Sequence, residues 1–175
     1  IKNLKHTYLD VICDVETGEF ISETLYGEVG FSYVRGTDIT LHCIDLKNAT
    51  KVNTKIDGLN VIETGDLAFA MIGSVGKVSI NCGDTAIVSN NLGIIKPHDK
   101  KLSNYLLVYL LSDIGQALFE KYQTRTAQPK IKKEDVEKFL VPLLSDEEME
   151  FISNKAEESF RLKEKSKELL GVAVK

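Results

Sequence analysis

The residues that could do chemistry are few, and each familiar arrangement fails at a specific position. Gly73-Ser74-Val75-Gly76-Lys77 resembles a phosphate-binding loop. That motif needs a first glycine where Met71 stands and a Ser or Thr where Val78 stands. Methyl transfer to an adenine amino group needs an S-adenosylmethionine pocket and an Asn/Asp-Pro-Pro-aromatic tetrapeptide. The 3 prolines, Pro97, Pro129 and Pro142, never adjoin. A metal-dependent nuclease needs clustered carboxylates with a lysine, whereas Asp66, Asp84 and Asp99 are scattered among turn residues. His6, His42 and His98 have no Ser or Cys nucleophile motif beside them. No CxxC or HxxxH spacing suggests a structural zinc site, and we expect no metal site. Cys13, Cys43 and Cys82, odd in number and far apart, read as buried reduced thiols of a cytoplasmic protein.

What remains is hydrogen-bonding chemistry gathered at turns. The stretch GDLAFAMIGSVGKVSINCGDTAIVSNNLGIIKP, Gly65 to Pro97, reads as a compact antiparallel β unit. Leu67–Met71 and Val78–Ile80 are strands joined by a tight turn that delivers Ser74 and Lys77. Cys82-Gly83-Asp84 turns into Thr85–Val88; Ser89-Asn90-Asn91 interrupts before Leu92–Ile95. Further on, Lys121, Arg125, Lys130, Lys132 and Lys133 occur with no acid among them, a cluster suited to phosphates or to solvation. The chain as a whole carries a net charge of −4, so a nucleic-acid partner would have to meet this local patch. The acid excess lies in residues 1–60 and 144–175.

The elements that must position these groups follow from periodicity. Leu4–Val15 is a strand or a short helix, Gly30–Arg35 a strand, and Gly36–Ile39 a turn. Leu41–Leu46 suits another strand, and Asn48–Asn60 is polar with a turn at Asp57-Gly58. Tyr105–Tyr122 has leucines and aromatics at three- and four-residue intervals and predicts one helix capped by Ser103, with Gly115 a small cost. Thr124–Pro129 breaks the pattern; Gln128-Pro129 cannot continue a helix. Ile131–Phe139 is expected to be a short helix and Leu140–Leu143 an extended segment. Ser145 and Glu148 form a capping box for a last helix ending at Gly171, roughly 39 Å long at 1.5 Å per residue. Its apolar stripe is Met149, Ile152, Ala156, Phe160 and Leu170. So narrow a stripe either packs on a partner helix, as in a coiled coil, or lies across its own sheet. At 175 residues, with 43% hydrophobic and 27% charged content, the chain is an ordinary globule plus an appendage. The fold class expected is α+β: a mixed, mainly antiparallel β globule with short helices and a long C-terminal helix. No run is long and apolar enough to span a membrane, and no membrane partner is expected.

GDLAFAMIGSVGKVSI, AIVSNNLGIIKP, NYLLVYLLSDIGQALF and RTAQPKIKKEDVEKFLVPL follow one another in the order and spacing of a known family. They resemble the target recognition domain of the specificity (S) subunits of type I restriction–modification enzymes, over about residues 30–170. GFSYVRGTDIT is similar to the family's first strand and turn. The resemblance departs at Leu144–Glu148, where the family usually has a Pro-Pro/Glu-Gln signature. Similar recognition domains end fused adenine-N6 DNA methyltransferases, and the absence of an initial Met fits such a C-terminal piece.

The resemblance implies a non-catalytic DNA-reading module over residues 1–143 and a spacer or dimerisation helix over residues 144–175. Its partners would be double-stranded DNA, a methyltransferase subunit or domain, and a second copy through the helix stripe Met149, Ile152, Ala156 and Phe160. S-adenosylmethionine would sit on the methyltransferase, with no cofactor in this chain. The DNA-facing groups would be Ser74 and Lys77, then Ser89, Asn90 and Asn91, then Arg125, Thr126, Gln128, Lys130 and Lys132. The competing class is a protein-interaction adaptor that works through the long helix and touches no DNA.

Overall fold

The computed structural model describes residues 5–173. In chain order the strands are β1 (Lys5–Tyr8), β2 (Cys13–Thr17), β3 (Tyr26–Gly27), β4 (Phe31–Val34), β5 (Thr50–Val52) and β6 (Val61–Ile62). Then follow β7 (Leu67–Ala70), β8 (Val78–Ile80), β9 (Ala86–Val88), β10 (Leu92–Pro97) and β11 (Leu140–Leu143). The helices are α1 (Leu9–Ile12), α2 (Ser103–Leu111), α3 (Asp113–Tyr122), α4 (Lys133–Val136) and α5 (Asp146–Ala173). A four-stranded antiparallel sheet runs β2-β10-β7-β8, and a five-stranded sheet runs β3-β5-β4-β9-β6 with β4 and β9 parallel. β1 pairs with β11 in a separate ribbon. This is the expected α+β class.

Alternation along β7 explains the layering. Leu67 and Phe69 face a core shared with Leu106, Leu110, Phe119 and Phe139 of the helical side. Ala68 and Ala70 face the other way, onto Val34, Ile62 and Val88 of the five-stranded sheet. Small residues on that face let two sheets approach; large ones on the first face fill the space under the helices. Gly93 stands opposite Phe69, and a Cβ there would lie 2.2 Å from the Phe69 ring. A third cluster, Ile21, Tyr33, Val52 and Ile87, covers the far face of the five-stranded sheet.

Several expectations are corrected. Tyr105–Tyr122 is two helices, because the Ser112 hydroxyl donates to the Tyr109 carbonyl at 2.6 Å and accepts the Gly115 N–H at 3.3 Å. Ser103 is a buried first residue of α2 rather than its cap, and a 3-10 turn, Lys100–Leu102, precedes it. Leu41–Leu46 makes only a bridge, Cys43 to Ile80, while β5 forms in a stretch that reads as polar. Ile131–Phe139 narrows to the single turn α4. Gly171 does not stop α5, which runs on to Ala173. The segment read as starting at Leu4 splits into β1, α1 and β2, and Leu4 itself lies outside the described residues.

The cysteine expectation is corrected as well. Cys43 and Cys82 form a disulfide with 5.6 Å between their Cα atoms. Its cause is long-range pairing: the Ile44 N–H donates to the Ile80 carbonyl and the Ile80 N–H to the His42 carbonyl, each at 3.0 Å. That docks the irregular 40–46 segment beside the end of β8. Cys13 alone keeps a free, buried thiol, and burial pushes its pKa up to about 12.

The capping box is present as expected. The Glu148 N–H donates to the Ser145 hydroxyl at 3.3 Å, and the Ser145 N–H donates to the Glu148 carboxylate at 3.0 Å. Those bonds hold the Glu148 carboxyl below its ordinary pKa. Met149, Ile152 and Phe160 pack on the core of this same chain, and Ala156 is buried. Four of the five stripe residues thus pack within the chain, and the fifth, Leu170, is exposed. From Arg161 to Leu170 the helix is exposed.

Candidate nucleic-acid interface

Three polar segments far apart in sequence meet along one edge, and backbone hydrogen bonds bring them there. The β7–β8 turn is closed by the Ala70 N–H on the Lys77 carbonyl at 2.9 Å and the Lys77 N–H on the Ser74 carbonyl at 3.2 Å. Gly73 and Gly76 carry φ of 79° and 91°, the left-handed region that such a turn requires. Gln116 of α3 fastens the turn from beneath, donating through Nε2 to the Gly76 carbonyl at 2.9 Å and the Leu110 carbonyl at 2.8 Å.

The basic loop lies against this turn. The Gly73 N–H donates to the Pro129 carbonyl and the Ile131 N–H to the Met71 carbonyl, both at 2.9 Å. On the other side, the Met71 N–H donates to the Asn91 carbonyl at 3.0 Å. Asn91, Met71 and Ile131 therefore form a continuous backbone row, with the 124–130 loop hanging from its end. That loop is braced internally: the Lys130 N–H donates to the Thr124 hydroxyl at 3.0 Å, and the Thr126 hydroxyl donates to the Gln128 carbonyl at 2.8 Å.

Of the residues expected to face DNA, Ser74, Lys77, Asn90, Asn91, Arg125, Gln128, Lys130 and Lys132 are exposed along this edge. Two of the expected contacts also do structural work. Ser89 is 6% exposed, and its hydroxyl accepts the Asn91 N–H at 3.4 Å, shaping the turn. Thr126 is exposed, but its hydroxyl is committed to the loop. Among the described residues, Lys77, Arg125, Lys130 and Lys132 make no ion pair. Lys121 instead sits over the Tyr122 ring at 5.0 Å, and Lys133 pairs with Glu137 at 3.4 Å. These four cations share one edge and are exposed.

Sequence reasoning missed Gln116, which falls inside a helical pattern and gives no local sign of reaching back to Gly76. It also missed the 18–20 segment, whose Glu19 carbonyl accepts the Asn90 N–H at 3.0 Å. Among the described residues no His/Cys/Asp/Glu group is placed to hold a metal ion, and no helix is long and apolar enough to cross a membrane.

Solved structures share this architecture. The HsdS subunit from Thermoanaerobacter tengcongensis superposes with a TM-score of 0.65 at 17% identity, covering 91% of this chain and 38% of that one. The type I restriction-modification S subunit from M. genitalium gives 0.60 at 18% identity, covering 87% and 38%. The type IIG restriction endonuclease BpuSI gives 0.61 at 9% identity, covering 87% of this chain and 26% of that one. The chain thus spans well under half the length of these proteins. Residues 3–163 match the family model described as the type I restriction modification DNA specificity domain, and the chain belongs to that family.

Proposed function

We propose that this chain reads one part of a bipartite DNA site through the Ser74–Lys77, Asn90-Asn91 and Arg125–Lys132 edge. The observation that carries the reading is the joining of three exposed polar segments into one row, flanked by four unpaired cations. Arg and Gln suit bidentate reading of guanine and adenine edges, and Lys suits phosphate. Arg125 and Gln128 are accordingly assigned to bases, Lys130 and Lys132 to the backbone.

The chain is a specificity component without chemistry of its own. A methyltransferase subunit or domain supplies S-adenosylmethionine and the methyl transfer. Residues 144–175 act as the spacer helix, cytoplasmic like the rest of the complex. Its exposed Phe151, Leu162 and Leu169 lie along one side, where a second helix, from another copy or the partner subunit, can pack. The purified chain alone should show no transfer of labelled methyl groups to DNA; transfer by it alone would refute this assignment.

The deciding experiment is a competition titration of the complex on cognate and scrambled duplexes over a range of salt. Lys132→Ala should weaken binding to both alike and lower the salt slope by about one. Gln128→Ala should cost about 1–3 kcal/mol on the cognate duplex alone. Equal losses on both duplexes would remove Gln128 from base readout, and no loss for either variant would move the DNA surface elsewhere.

A further inference from the structure

We propose that Phe20 is a DNA wedge, an apolar side chain that enters a base-pair step at the margin of the site and partly unstacks it. The proposal rests on the DNA-reading function above and adds a contact that neither charge nor hydrogen bonding supplies.

Phe20 is 76% exposed, yet the backbone on either side of it is pinned. The Gly18 N–H donates to the Leu92 carbonyl at 2.9 Å, and the Glu19 N–H to the Val88 carbonyl at 2.6 Å. The Glu19 carbonyl accepts both the Asn90 N–H at 3.0 Å and the Tyr33 hydroxyl at 2.9 Å. Ile21, the next residue, is buried in the cluster with Tyr33 and Val52. Gly18 makes the close approach possible: a Cβ there would stand 2.4 Å from the carbonyl oxygens of Val88 and Ser89. A ring held out on a rigid backbone is a different object from one on a loose loop. It loses little further freedom on insertion and can act as a fixed wedge.

The occupant is argued from continuity. Glu19 is bonded to Asn90, and the neighbouring Asn91 starts the row that leads through Met71 to Ile131 and Lys132. Phe20 therefore sits at the end of the DNA-reading edge opposite the basic loop. The adjacent carboxylate, Glu19, accepts the Asn60 N–H through Oε1 at 3.0 Å. A duplex lying along the row would carry its phosphates on the lysines and present a base step to the ring. Apolar wedges of this kind kink the duplex at the step they enter. Their selectivity comes from the ease of unstacking, so the site should hold a pyrimidine–purine step at this position.

The test uses the full chain assembled with its methyltransferase subunit, on a duplex recovered by the wild-type complex from a randomised pool. 2-Aminopurine is placed at successive positions outside the base that the methyltransferase flips. The wild type and Phe20→Leu should raise its fluorescence at one step, and Phe20→Ala should not. Phe20→Ala should also bind the duplex about tenfold more weakly, with an unchanged salt slope and an unchanged melting temperature. If the wild type binds and Phe20→Ala matches it in both readouts, the wedge is wrong and the reading of the edge stands. If Phe20→Ala fails to assemble with the methyltransferase subunit, the ring belongs to a protein interface and the wedge is again wrong. If the wild-type complex recovers no duplex, the DNA-reading assignment falls and the wedge with it.

Discussion

Alanine at position 115 separates what propensity says from what packing says. In an isolated helix Gly→Ala should stabilise by up to about 1 kcal/mol. Here the added Cβ would lie 2.4 Å from the Tyr109 carbonyl oxygen and 2.6 Å from the Leu110 Cα, both backbone atoms of the preceding helix. Gly115→Ala should therefore destabilise, by roughly 2 kcal/mol as an overpacking cost, in urea unfolding. Gln116→Ala should cost a further sum of similar size, because it removes donors from two part-buried carbonyls at Gly76 and Leu110. Its second signature should be faster amide exchange in the Gly73–Gly76 turn. The sequence shows Gly115 and Gln116 only as positions in a helical pattern. Their roles come from the break between the two helices at Ser112, which no local periodicity announces.

At the scale of elements, α5 was read well at its start and incompletely along its length. The capping box needs only Ser145 and Glu148, three residues apart in one turn, so it is legible locally. Where the stripe docks depends on α2, which lies far back in the chain. The face is already used within the molecule, so Ile152→Glu with Phe160→Glu should cost roughly 2 kcal/mol or more of the chain's own stability. Denaturant unfolding checks this; unchanged stability would place the stripe elsewhere. The far end of the docked segment also carries a pH dependence. His42 packs at a tilt against Phe160 with ring centroids 3.9 Å apart, and burial, then Lys163 and Lys167, lower its pKa. Protonation therefore favours the undocked helix. This contribution is fully present above the unpaired value of 6.5 and is lost as pH falls below it. Thermal melts across this range should show the loss in the wild type and a smaller one in His42→Gln.

For the whole molecule, the central β unit and the segments carrying the polar residues were legible because strands and turns there follow short-range alternation and glycine placement. Their assembly into one edge was not, since it depends on carbonyls and amides that meet only after β7 and β10 have paired. The disulfide belongs to the same class of long-range facts. It joins residues 39 apart and ties the 40–46 segment to the sheet. On loop-closure entropy it should contribute up to roughly 4 kcal/mol, which a Cys43→Ser, Cys82→Ser double variant should lose in unfolding experiments under oxidising conditions. The bonds that join the three segments of the proposed reading edge run almost entirely between main-chain atoms: Gly73 to Pro129, Met71 to Asn91, Ile131 to Met71. No side chain proposed to meet a base takes part in them. Asn90, Asn91, Arg125 and Gln128 can therefore be exchanged as a set without unpicking the frame that presents them. The frame thus behaves as an interchangeable type holder: new lettering should change which duplex is chosen while the melting temperature stays where it was.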